Sequence, residues 1–357
     1  GVPGEENADV MISLNSSPID FILCRHEQAA AFMADTYGRL TGKAGVCLGT
    51  LGPGATNLVT GVADANMDRA PLVCIIGQGS TRRLHKESHQ NMDSIAMFEP
   101  ITKWSTTIAH EANISEVVRK AFKLAEAEKP GATLIELPEN IAKNIIDDQP
   151  IEPKRTRRPG ADYKAVAEAV EVILASKDPM IIAGNGAVRK RAAAQLHRLA
   201  RNTGIGVVNT FMGKGAVPRD DEHCMFTIGL GVKDHIAHAI DKCDVIISVG
   251  YDLVEYAPSL WNNTPGKKIV HIDFWPAEID ADYLAVSFVQ SAADVHTARQ
   301  LLQESGGNAA IVAKVERAEA LECIEEIVDA SDVIMVARGD LGVEIGDAEL
   351  PAVQKHL

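Results

Sequence analysis

The stretch Gly49–Gln78 reads GTLGPGATNLVTGVADANMDRAPLVCIIGQ. PLVCIIG, near its end, is a short apolar run rich in branched side chains, the pattern of a strand buried on both faces. ATNLVTGVADANMDR before it reads as a helix. AGVCLGT, which overlaps the first residues of the stretch, reads as a second buried strand. Two buried strands joined through a helix need a crossover connection, and strands so joined are parallel.

The alternation continues on both sides. FILC (Phe21–Cys24) and GATLIELP (Gly131–Pro138) read as further strands, and EQAAAFMADTYGRLTG and ISEVVRKAFKLAEAEKPG as helices. The second helix should stop at its Pro-Gly. Residues 1–150 are therefore expected to form a doubly wound α/β domain with a parallel sheet. GVPGEEN, at the start, is a loop-and-helix opening of the kind that follows a strand, which implies a truncated N-terminus. Residues 147–162 are polar and carry Pro150, Pro153 and Pro159, as a linker does. A second doubly wound domain, 151–281, is expected from the strands PMIIAG, GVVNT, DVIISVG and KIVHID and the helices DYKAVAEAVEVILAS and RAAAQLHRLARNTG.

From about residue 282 the beat changes. DYLAVSF, SAADVHTARQLLQES, AAIVAKVE, ALECIEEIVDAS and DVIMVA alternate strand and helix in units of about two dozen residues, as a (β/α)8 barrel does. Residues 282–357 are expected to be a partial barrel of three strands, too few to close.

Composition bounds the function. The 357 residues are 46% apolar but only 4% aromatic, so the cores must be built from Ala, Val, Ile and Leu. A net charge of −14 argues against a nucleic-acid or anionic-membrane surface. The basic run KRTRRP (Lys154–Pro159) reads as solvated linker. No apolar run reaches the ~18 residues of a membrane span. The six cysteines have no metal-ligand or redox spacing. Together these features imply a reduced, cytoplasmic protein.

Glu27 follows FILCRH, so it stands just beyond a strand end in the first turn of a helix. Ligands of open α/β sheets sit there. The pattern alone fits either a helix N-terminal carboxylate or a catalytic group. TLGPGATN (Thr50–Asn57) is a second strand-end loop, whose glycines allow a tight turn or a close ligand. In the tail, Glu316 ends the strand AAIVAKVE and Asp340 follows DVIMVA. If these strands are adjacent and parallel, both carboxylates emerge at one edge, as oxygen ligands of Mg2+ would. Lys314 could neutralise a phosphoryl or enolate oxygen, and a surface Lys–Glu–Asp cluster fits the same spacing.

GVPGEEN, RHEQAAAFMADTYGRLTGKAG, GTLGPGATNLVTGVADANMDRAPLVCIIGQ and HKESHQNMD occur in one order. Residues 1–150 thereby resemble the pyrimidine-binding domain of thiamine-diphosphate-dependent enzymes of the acetolactate synthase group. GYDLVEYAPSLWN and KIVHIDFWPAEID make the central domain similar to the catabolic, FAD-independent members, so no FAD is expected. The resemblance implies decarboxylation of pyruvate, or another 2-keto acid, and joining to a second molecule. It implies that Glu27 hydrogen-bonds the aminopyrimidine of thiamine diphosphate. Pro3 and Gly4 would lie near the thiazolium, and Gly52, Pro53, Gly54 and Asn57 near the pyrimidine. Gln78, His89 and Gln90 would lie toward the substrate, Gln90 with a catalytic part. The family forms its sites between subunits, so a homo-oligomer or mixed oligomer is implied. Benzoylformate-type and oxalyl-CoA-type decarboxylases fit the same motifs.

The family holds the diphosphate and Mg2+ with a domain bearing Gly-Asp-Gly, a triplet that does not occur here. A half site, inactive alone, is the expectation. AAIVAKVERAEAL and MVARGDLGVEI resemble pyruvate kinase. That likeness would make Lys314 the catalytic lysine and Glu316 and Asp340 the metal ligands, with Ala337, Arg338 and Gly339 at the phosphoenolpyruvate site. The chain thus reads as a fusion near Glu278–Tyr283. The alternatives are phosphoryl transfer by the tail and a non-catalytic interaction protein.

Overall fold

The computed structural model describes residues 1–154, 160–228, 235–258, 261–262, 266–275, 283–286, 289–304, 310–336 and 341. The chain divides into two compact units, Gly1–Phe274 and Trp275–Leu357. Every strand pairing among the described residues is parallel.

In the first unit, β1 (Gly45–Gly49), β2 (Leu72–Gln78), β3 (Trp104–Thr107) and β4 (Ala132–Pro138) form one sheet in the order β1-β2-β4-β3. Successive side chains of β2 enter opposite cores. Leu72, Cys74 and Ile76 pack with Ala30, Ala31 and Leu58 beneath helices Glu27–Thr41 and Val59–Met67. Val73 packs with Ala121 and Ala125 of helix Ile114–Glu126 on the other face. Cores on both faces explain the uninterrupted apolar runs and define the doubly wound arrangement. Helix and strand approach so closely at Gly45 that a Cβ there would stand 2.0 Å from the Ala34 carbonyl oxygen.

FILC is a correction. Phe21–Cys24 is not a strand. The Cys24 amide donates to the Gly1 carbonyl at 2.9 Å, and the Gly1 amino group donates to the Ile22 carbonyl at 2.8 Å. Two bonds to one residue make no ladder, and Ile22 and Leu23 stay exposed. Conversely, β3 (WSTT) and β7 (Cys224–Thr227) form without a strong apolar signal, because each is a partly buried edge of its sheet.

The second sheet combines β5 (Pro179–Ala183), β6 (Gly206–Asn209), β7, β8 (Val245–Val249) and β9 (Lys268–Ile272) in the order β7-β6-β5-β8-β9. Ile181, Ala183, Val207 and Ile247 face Leu196 and Ala200 of helix Lys190–Thr203. Ile182, Val208 and Ile246 face Ile240, Tyr251 and Trp261 on the opposite side. The six cysteines are free thiols. Cys47 and Cys74 are register partners on β1 and β2, and burial, reinforced by Cys47, pushes the Cys74 thiol up.

Polar side chains join the two layers of this unit. Asp252 accepts from Arg69 Nε at 2.9 Å and Lys129 Nζ at 3.2 Å, and Asn185 Nδ2 donates to the Asp68 carbonyl at 2.6 Å. Arg69 holds a left-handed backbone, φ 57°, at the end of helix Val59–Met67. Glu255 lies beneath these contacts, 2% exposed, and accepts from the Asn185 and Asp252 amides at 2.8 and 3.2 Å and from the Thr210 hydroxyl. Burial pushes its carboxyl from 4.5 up to about 7, against the pull of those donors.

A carboxyl whose folded value is raised contributes stability fully below its unfolded value and loses it as pH rises through the folded one. Stability of the first unit to denaturant should therefore fall between about pH 4.5 and about pH 7, by roughly 3 kcal/mol from this group. Glu255→Gln should flatten that slope. The amide fits, because the Thr210 hydroxyl can turn to donate to the Ala183 carbonyl, 3.3 Å away. An equal slope in both proteins would assign the pH dependence elsewhere.

In the second unit, β10 (Tyr283–Val286), β11 (Ala310–Val315) and β12 (Val333–Val336) pair in chain order, the expected three-stranded barrel segment. Ile311, Ala313 and Val315 face helices Ala292–Glu304 and Ile324–Ala330. The helix expected over ALECIEEIVDAS breaks at Cys323, whose thiol donates to the Gln290 carbonyl at 3.0 Å.

Candidate functional site

The site lies at the C-terminal ends of β1, β2 and β4. Helix Glu27–Thr41 starts there because His26 caps it, Nδ1 accepting from the Gln28 amide at 3.2 Å. Glu27 takes the first helical position, where the helix dipole favours a carboxylate. It is buried, 8% exposed, and Oε2 accepts from Asn57 Nδ2 at 2.9 Å. Gly54 closes the space above it: a Cβ there would stand 3.5 Å from Glu27 Oε1 and 2.7 Å from Thr50 Cγ2. Gly52 has φ 54°, and a Cβ on it would meet Gln90 Cβ at 2.7 Å. Gly52 is required by contact and by the turn, Gly54 by contact alone. Pro53 opens the short helix Pro53–Thr56 that carries Gly54 to Asn57.

The opening segment covers the same strand ends. Gly4 packs on Thr50, Thr50 Oγ1 donates to Glu6 Oε2 at 2.8 Å, and the Gly4 amide donates to Asn7 Oδ1 at 2.8 Å. Pro3 is exposed beside it. The structure thus brings Gly4, Glu27, Gly52, Pro53, Gly54, Asn57 and Gln90 together. His89 and Gln90 are exposed, while Gln78 is buried with its amide bonded inward to Glu136 Oε1 at 2.8 Å. Glu136 was not singled out from sequence. A lone charge inside the buried run GATLIELP is a signal that could have found it, since a buried charge needs partners.

These residues fit the pyrimidine half of thiamine diphosphate. A carboxylate shielded from water, with the Asn57 amide on one oxygen, stands in a cradle that any side chain at positions 52 or 54 would fill. Among the described residues, the buried Asn7 Nδ2 lacks a hydrogen-bond partner beside that cradle's Gly4 edge. No group of three His, Cys, Asp or Glu side chains among them could hold a metal.

In the tail, Lys314 Nζ pairs with the buried Glu316 Oε1 at 2.5 Å. Ala337, Arg338, Gly339 and Asp340 lie outside the described residues. No described helix is long and apolar enough to cross a membrane.

Fold and cradle define the pyrimidine-binding and central domains of a thiamine-diphosphate enzyme. Residues 1–97 match the thiamine pyrophosphate enzyme N-terminal TPP binding domain, and residues 166–301 match the central domain of those enzymes. Residues 267–357 match the pyruvate kinase barrel domain, overlapping the central-domain match over 267–301. The chain is 31% identical to acetolactate synthase of Bacillus subtilis, over 96% of this chain and 64% of that one. It is 37% identical to a probable acetolactate synthase large subunit of Methanocaldococcus jannaschii, over 78% of this chain and 49% of that one. It is 36% identical to a catabolic acetolactate synthase of Raoultella terrigena, over 80% of this chain and 51% of that one. The chain thus carries two domains similar to those of thiamine pyrophosphate enzymes, with acetolactate synthases among its relatives, and a segment similar to the pyruvate kinase barrel. It spans between about half and two thirds of the length of these relatives.

Proposed function

We propose that this chain supplies the pyrimidine half of a thiamine diphosphate site for decarboxylating a 2-keto acid, pyruvate first, and joining it to a second. The observation that carries this is the buried Glu27 carboxylate in its Gly52–Gly54–Asn57 cradle. Bound there, thiamine diphosphate would supply the electron sink that decarboxylation of a 2-keto acid needs. Glu27 would accept a hydrogen bond from the ring nitrogen facing it, and Asn57 would keep the carboxylate aimed. Gly52 and Gly54 would let the ring approach the backbone. His89 and Gln90 would face the incoming keto acid.

Residues of a complete subunit in a mixed oligomer would hold the diphosphate and its Mg2+, since a second copy of this chain would bring the same described residues, none of which forms a group suited to that metal. FAD has no part in this reading, and the cytoplasm is the compartment it fits. Titration calorimetry with thiamine diphosphate and Mg2+ tests it. The chain alone should bind weakly, and addition of a complete acetolactate synthase subunit should create tight sites. Failure of Glu27→Gln to weaken either step would exclude the assignment.

For the second unit, phosphoryl transfer by Lys314 with Glu316 and Asp340 on Mg2+ is a separate reading. Its support is the ion pair between Lys314, near the end of β11, and Glu316, just past it.

A further inference from the structure

Loop 79–93, which carries His89 and Gln90, is held by the strand-end sequence ELPEN, Glu136–Asn140. Glu136 is 4% exposed in the middle of the sheet. Its Oε1 accepts from Gln78 Nε2 at 2.8 Å, and its Oε2 accepts from Thr107 Oγ1 at 2.6 Å. Gln78 Nε2 also donates to the Met92 carbonyl at 3.1 Å, and Gln78 Oε1 accepts from the Gly79 amide at 2.8 Å. One side chain therefore ties the first residue of the loop to its end, and Glu136 holds that side chain.

The rest of ELPEN grips the loop between those points. Glu139 Oε1 accepts from Arg83 Nη2 at 2.8 Å. Asn140 Oδ1 accepts from the Thr81 amide at 2.8 Å, and Asn140 Nδ2 donates to Thr81 Oγ1 at 3.0 Å. So fastened, the loop brings Gln90, in a left-handed backbone of φ 53°, against Gly52. Both amide hydrogens of Gln78 are spent inside this network, so its donors are not available to a substrate while the loop is in place.

We propose that Glu136 is a positioning residue: through Gln78 it fixes loop 79–93, and with it the place of His89 and Gln90 over the Gly52 turn beside Glu27. The inference rests on the half-site reading above for what the loop faces. A carboxylate suits the role because it accepts from Gln78 and Thr107 at once, and a buried group of this kind is stable only when so satisfied.

Tryptic cleavage of the full chain tests it. Arg82 and Lys86 are exposed in the loop, and Lys120 and Lys123 in helix Ile114–Glu126 serve as internal reference. Glu136→Leu should raise cleavage after Arg82, Arg83 and Lys86, relative to the reference sites, by about tenfold, as loss of one anchoring hydrogen bond does for local opening. Glu136→Gln, which still accepts from Gln78, should return the ratio to within about twofold of wild type. Should Glu136→Leu fail to fold, Gln78→Leu removes the same anchor from the other side and should raise the same sites. A ratio unchanged in these variants, or an equal rise at loop and helix, would overturn the proposal. The ratio needs no cofactor. Wild-type chain that binds no thiamine diphosphate, even with the complete subunit, would refute the half-site reading and leave the ratio to judge Glu136. If cofactor binds, it should slow loop cleavage in wild type and not in Glu136→Leu; binding that leaves the wild-type loop unprotected would refute the placement over the site.

Discussion

Glu27→Gln should lower 2-keto acid turnover by about 10²- to 10⁴-fold, the range that a positioned proton-transferring side chain supplies. The assay is a mixed oligomer of this chain with a complete acetolactate synthase subunit whose own corresponding glutamate has been neutralised. Glu27 is then the carboxylate able to serve the shared site. The variant should fold as the wild type does. Glutamine keeps the volume, and its carbonyl oxygen still accepts from Asn57 Nδ2, now at 2.9 Å from Oε2. What it loses is the negative charge and the capacity to take a proton, so the loss should fall on turnover and not on assembly. Asn57→Ala should show a smaller loss, since it frees the carboxylate without removing it. Equal turnover for the wild-type and Glu27→Gln oligomers would show that some other group moves the proton.

Arg39→Ala should destabilise the first unit by about 3 kcal/mol, the cost of leaving a buried carboxylate without its cation. Arg39 Nε donates to Asp35 at 2.9 Å, Nη2 to Asp64 at 2.8 Å and Nη1 to Asp68 at 2.7 Å. One guanidinium thus bridges three carboxylates, from helix Glu27–Thr41 and from the end of helix Val59–Met67. Asp35 is 3% exposed, and burial pushes its carboxyl up even though Arg39 pulls it down. Without Arg39 that upward push stands unopposed and Asp64 adds to it, so the Asp35 carboxyl would move further up. The loss should therefore shrink as pH falls toward the carboxyl range. Arg39→Lys should recover only part of the stability, because an ammonium cannot present the planar fork to three partners. Chemical denaturation at two pH values checks both points; a loss below about 1 kcal/mol at neutral pH would mark the cluster as an ordinary surface network.

Sequence periodicity carried most of the fold. PLVCIIG and most of GATLIELP are apolar because each strand has helices on both faces, so burial writes itself into consecutive residues. The same rule misled at FILC, whose apolar run stays largely outside the cores. It was silent at β3 and β7, where an edge strand is only partly buried and carries a mixed sequence. At the site, the glycine turn was legible because it follows β1 directly in the chain, and Glu27 because it opens a helix, although the strand expected before it does not form. Glu136 and Glu255 were not, because their partners come from distant segments: Gln78 and Thr107 for one, Asn185 and Thr210 for the other.

By itself, then, the sequence determined the parallel α/β layers, the change to a barrel beat in the tail, the likeness to thiamine-diphosphate enzymes, and the place of Glu27 at a helix start. These follow from local spacing, which backbone hydrogen bonding and one- or two-sided burial impose on neighbouring residues. Tertiary structure alone decided which side chains meet: Asn57 with Glu27, Gln90 with Gly52, Glu136 with Gln78, and Arg39 with three aspartates. Those meetings depend on the strand order β1-β2-β4-β3 and on crossover helices that bring remote segments to one sheet edge. Local spacing does not encode that order, because every buried strand in it reads alike.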